Sequence, residues 1–165
     1  ASDTWTTYTL HGRVAVNPHE PVCHISFFEA AAYAAWRSEQ GNDVRLPTEF
    51  ELEHAAAGLE PTGNFAGAQP GQSALHPKAA DCRAKLEQVF GDVWEWTQSA
   101  YTPYPGFKPV AGAIGEYNGK FMANQMVLRG GSVATAENHM RATYRNFFPA
   151  HARWQFSGLR LARDT

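Results

Sequence analysis

Between residues 127 and 163 the chain reads VLRGGSVATAENHMRATYRNFFPAHARWQFSGLRLAR, and this stretch constrains the fold more than any other. An apolar start, Val127-Leu128, runs into the pair Gly130-Gly131. Glycine reaches backbone angles that a side chain forbids, so the pattern specifies a strand that turns sharply into a shaped loop. Farther on, Thr143-Tyr144-Arg145-Asn146-Phe147-Phe148 mixes polar and aromatic side chains in a strand-like run, and residues 158–163 alternate again. On composition alone these last two segments read as a C-terminal hairpin that completes a core.

A chain of 165 residues is one domain or part of one, long enough to bury a core. A formal net charge of -2 leaves no basic footprint for nucleic acid or an anionic membrane surface. No apolar run approaches the roughly 20 residues that span a bilayer, and residues 1–12 lack the basic start and apolar centre of a signal peptide. The two cysteines, Cys23 and Cys82, form no CxxC pair and no disulfide framework, which points to a reducing, cytoplasmic setting.

Residues 5–16 read as short strands broken at Gly12. Ser26, with Glu29 three places on, caps a helix that runs through AAAYAAWRSEQ and stops at Gly41. In that helix Tyr33 and Trp36 share a face, and the alanines admit close neighbours around the two rings. Thr48 and Glu51 repeat the capping box after Pro47, and Glu49, Glu51 and Glu53 read as a cap and a solvated face rather than as a metal or acid–base site. Residues 59–88 form an ordered surface loop, 91–97 a strand with large rings, 101–107 a rigid aromatic loop among prolines, and 111–126 a further loop.

None of the seven histidines forms an HxH, HxxxH or HExxH pair, so the sequence offers no compact metal site. It contains no GxSxG, P-loop or GxGxxG. Cys23 precedes His24, but neighbours on an extended chain face opposite ways. Aromatic rings near loops, with Arg145, Asn146 and Arg160 close by in sequence, suit a small polar or cationic ligand, because a quaternary ammonium is drawn to ring faces.

Three segments carry a resemblance. RLPTEFELEHAAAG at 45–58, GDVWEW at 91–96, and VLRGGS with YRNFF and FSGLRLARD between 127 and 164 resemble, in order and spacing, the formylglycine-generating-enzyme-like, sulfatase-modifying-factor family. The likeness covers residues 21–164, and through SAYTPYPGF and YRNFFPAHARWQFSGLRLARD the chain is similar to the ergothioneine-type sulfoxide synthases of that family. The resemblance implies an α+β, loop-rich, C-type-lectin-like fold, with residues 1–165 forming the C-terminal part of such a domain. The copper-binding cysteines of true formylglycine-generating enzymes align near Arg141 and Asn146, so copper oxidase chemistry is not expected.

Sulfoxide synthases of this family join a thiol to the imidazole of trimethylhistidine with O2 and a non-haem iron. The resemblance places Fe(II) on histidines of an N-terminal helical domain that is expected to lie outside this chain. The chain alone is then expected to hold no metal and to be inactive, with that N-terminal part as its partner. The family's Arg-Asn-Trp-Asp pocket motif falls on Arg145, Asn146, Phe147 and Phe148. It implies Asn146 as donor to the substrate carboxylate and Phe147 as the ring for the trimethylammonium. Phe148 replaces the acid that holds an amine, which implies free cysteine rather than gamma-glutamylcysteine as the thiol. The family's proton-donating tyrosine aligns near Ile114, leaving Tyr117, Tyr101 and Tyr104 as candidates. The alternative is a non-catalytic, lectin-like binding module.

Overall fold

The computed structural model describes residues 5–67, 75–81, 84 and 86–164; Cys82 lies outside the described residues. The first elements are a hairpin of β1 (Thr6–Thr9) and β2 (Gly12–Ala15), with Gly12 at φ 92° closing the turn as expected. Helix α1 (Phe27–Arg37) begins at the capping box: Ser26 Oγ accepts from the Glu29 N–H, and the Glu29 carboxylate accepts from the Ser26 N–H at 2.8 Å. Two otherwise unmet amide donors are satisfied at once. The helix then loosens into a wider turn over Ser38–Asn42, with Gly41 left-handed at φ 80°.

The face that α1 buries differs from the expectation. Tyr33 and Trp36 do pair, with ring centroids 5.7 Å apart, but they are 44% and 51% exposed. The buried positions are Ala30 and Ala34, four residues apart. Small side chains let the helix lie close against the sheet, where Phe27 meets Trp96 edge-on.

Helix α2 (Glu49–Ala56) starts at Thr48, whose Oγ1 accepts from the Glu51 N–H. Removing this cap in Thr48→Ala is expected to cost about 1 kcal/mol in urea unfolding. Arg45 donates to both Glu51 oxygens and to Asp164, tying the start of α2 to the chain's end. Arg45 and then Thr48 hold the Glu51 carboxyl down at about 2, against an ordinary 4.5. A folded value below the unfolded one stabilises above pH 4.5 and is lost as pH falls toward 2. Glu51→Gln is therefore expected to flatten the acid limb of a stability profile across that window, while leaving its shape near neutrality unchanged.

The main sheet contains β3 (Trp94–Ala100), β4 (Gln125–Arg129), β5 (Asn146–Pro149) and β6 (Ser157–Leu159), in the order β5-β4-β3-β6. β4 runs antiparallel to β3 and β5, whereas β6 pairs parallel with β3. The expected C-terminal hairpin is thus not formed, because β5 and β6 occupy opposite edges with two strands between them. Residues 111–126 are not all loop either. Helix α3 (Ala113–Lys120) forms there, with a Glu116–Lys120 pair one turn apart.

Trp96, Phe65, Val127 and Leu128 are essentially buried and centre the core. Trp96 donates its Nε1–H to the Ile25 carbonyl at 2.9 Å. The Gly130-Gly131 turn is required sterically: at Gly131, φ 83°, a Cβ would sit 2.8 Å from the Phe65 ring and 3.0 Å from the Met140 sulfur. Among the described residues no helix is long and apolar enough to cross a membrane.

Candidate functional site

The site grows from the edge strand β5 and its pairing with β4. Cross-strand partners present their side chains on the same face. The pairs Val127–Phe147 and Gln125–Pro149 therefore share one face, and the pairs Leu128–Asn146 and Met126–Phe148 share the other. Tyr101, just beyond β3, stacks on Phe147 with ring centroids 4.0 Å apart and planes 7° from parallel. The Arg145 guanidinium lies 4.6 Å from the Tyr101 centroid and 4.4 Å from that of Tyr104. The first face thus carries a column of cation and rings.

Arg145 is held from below. Its Nε and Nη2 each donate to Glu49 at 2.8 Å, and Nη1 and Nη2 donate to the Thr102 carbonyl at 3.1 Å. Glu49, 2% exposed, also accepts from Arg129 at 3.2 Å. Arg129 reaches Glu53 as well, and the carbonyls of Ala142 and Tyr144. Two carboxylates and two guanidiniums form a neutral, largely buried cluster that ties α2, β4, β5 and the 101–104 loop together. Four Arg145 donations are committed to Glu49 and Thr102, so Arg145 acts here as a strut for the ring wall.

Glu49 departs from the expected solvated face. Glu51 is the exposed capping residue, whereas Glu49 lies on the buried side of α2 with Leu52 and Ala56. The spacing i, i+3, i+7 is the signal in the sequence that marks it.

On the other face Phe148 is half-buried against the core and meets Trp154 edge-on, with centroids 4.7 Å apart. Trp154 is 71% exposed and is a residue the sequence reading does not single out. Asn146 accepts the Phe147 N–H on its amide oxygen at 3.0 Å, which leaves the –NH2 end able to donate elsewhere. Of the tyrosine candidates, Tyr101 and Tyr104 converge on Arg145. Tyr117 is carried by α3, and its side chain lies outside the described residues.

Arg160, grouped with the rings by sequence, sits instead at the opposite edge. It clasps buried Glu95 at 2.8–3.1 Å and donates to the carbonyls of Glu87 and Gln88. Burial pushes the Glu95 carboxyl up, and Arg160 opposes that push. A cavity of about 610 Å³ between α1 and β3, lined by Phe27, Ala31, Ala34, Leu46 and Gln98, includes none of the β5 residues. Among the described residues no group of three or more His, Cys, Asp or Glu gathers to hold a metal ion. The Cys23 thiol is pushed up by burial and by Glu20, away from thiolate character.

The sulfatase-modifying factor enzyme 1-like domain family matches residues 2–85 and 78–165. Over 96% of its length the chain is 39% identical to the hercynine oxygenase of Mycolicibacterium thermoresistibile and 40% identical to that of Mycobacterium tuberculosis. It is 31% identical, over 70% of its length, to the formylglycine-generating enzyme of Streptomyces coelicolor. The chain spans 39–42% of the length of these three relatives. Among solved structures it resembles PvdO from Pseudomonas aeruginosa, with a TM-score of 0.60, 21% identity, and coverage of 93% of this chain and 66% of that one. At that identity the likeness bears on the fold alone.

Proposed function

Because the chain belongs to the sulfatase-modifying factor enzyme 1-like family, we propose that it forms the substrate-binding part of an oxygen-dependent sulfoxide synthase in ergothioneine biosynthesis. The enzyme would join trimethylhistidine to cysteine. The observation that carries this reading is the likeness to hercynine oxygenases along 96% of the chain, coinciding with a stacked ring wall on β5. In the overall reaction O2 takes one hydrogen from the thiol and one from an imidazole C–H. One oxygen atom ends on sulfur and the other leaves as water.

The residues of this chain supply grip and orientation. Phe147, braced by Tyr101, offers a ring to the trimethylammonium; Asn146 lies on the opposite face of the edge strand β5, so its –NH2 is proposed to meet the carboxylate around the strand's open edge. Tyr101 and Tyr104 are the proposed proton donors. The iron that the family resemblance implies finds no ligand set among the described residues, so its ligands are proposed to come from another part of the enzyme.

The reading is tested by calorimetric titration of the protein with trimethylhistidine, where Phe147→Ala is expected to weaken binding about 2- to 30-fold, matching about 0.5–2 kcal/mol. Equal affinity in the variant would remove Phe147 from the site. Phe148 offers no anion to an amine, so cysteine is expected to outcompete gamma-glutamylcysteine on the complete enzyme. A clear win for the dipeptide would overturn that preference.

A further inference from the structure

Gln125 opens β4, and its side-chain Oε1 is buried with no hydrogen-bond partner among the described residues. Buried polar atoms are almost always paired, and an unpaired acceptor costs about 1–3 kcal/mol, so this one calls for a reason.

The strand register locates the orphan. Gln125 pairs with Pro149, and its own carbonyl accepts the Tyr101 N–H at 2.9 Å. Its side chain therefore shares a face with Val127 and Phe147, on the side where Tyr101 stacks. Pro149 has no N–H to offer it. An acceptor thus stands unmet beside the ring wall.

We propose that Gln125 is a recognition residue whose Oε1 accepts a hydrogen bond from an N–H of the ligand seated against Phe147. The inference rests on the trimethylhistidine reading and deepens it. In that ligand the quaternary nitrogen carries no hydrogen and the carboxylate only accepts. The neutral imidazole therefore provides the one N–H. Gln125 reads the ring, while Phe147 holds the trimethylammonium end.

The test is calorimetric binding of two ligands at pH 8: trimethylhistidine, and N,N,N-trimethylphenylalanine, a betaine of similar size without a ring donor. The unmodified protein is expected to favour trimethylhistidine about tenfold or more, and Gln125→Leu to bring the two affinities within about threefold. Replacing the orphaned acceptor with an apolar group is also expected to leave the thermal midpoint unchanged or raised, whereas a purely structural glutamine would lower it. Gln125→Met serves as the second variant should leucine prevent folding. A preference retained in the variants, with trimethylhistidine still bound, overturns this inference alone. Failure of the unmodified protein to bind trimethylhistidine overturns it together with the reading beneath it.

Discussion

Glu49→Gln is expected to lower the unfolding free energy by about 3–5 kcal/mol, read as a shift in urea midpoint at constant slope. Glu49 is 2% exposed and receives hydrogen bonds from both Arg129 and Arg145. A neutral amide would leave these two guanidiniums facing one remaining carboxylate, Glu53, in a largely buried cluster. The loss comes mainly from stranding charge rather than from the intrinsic worth of an ion pair, so the double variant Glu49→Leu with Arg145→Met is expected to recover part of it. Additive losses in the double variant would show that the residues are not coupled. Because Arg145 also grips the Thr102 carbonyl, Glu49→Gln is further expected to speed amide exchange in the 101–104 loop.

Trp96→Ala is expected to cost a similar about 3–5 kcal/mol. Its side chain is fully buried, with Phe27 of α1 edge-on at 6.1 Å. Alanine would leave a cavity that the alanine-faced α1 cannot fill. The Ile25 carbonyl would lose the indole N–H but keep the Ser157 hydroxyl as a donor. The penalty is therefore mostly one of packing, and Trp96→Phe is expected to restore more than half of the lost stability in the same urea experiment. If phenylalanine proves as damaging as alanine, the indole hydrogen bond outweighs the packing.

Local chemistry was the legible part of this fold. Both capping boxes can be read from four residues each, because a serine or threonine and a glutamate three places on satisfy each other's neighbouring amides without help from the rest of the chain. The glycine pair after Leu128 is similarly self-announcing. Strand neighbours are decided by distant contacts, and so β5 and β6, close in sequence, lie at opposite edges. Helix α3 escapes notice because Tyr117-Asn118-Gly119 has the composition of a turn. Within the proposed site, Asn146 and Phe147 can be found by motif. Gln125 cannot, since its significance lies in a missing hydrogen bond that only the packed structure reveals.

The period-two alternation of β5 has a consequence for how an enzyme of this kind could diversify. Consecutive positions in the motif face different surroundings: Phe147 leans on Tyr101 and the charged strut, and Phe148 on the core and Trp154. A substitution at one need not disturb the support of the other. On the proposed reading, the choice of thiol at position 148 can be retuned in single mutational steps while the hold on the betaine at position 147 stays intact.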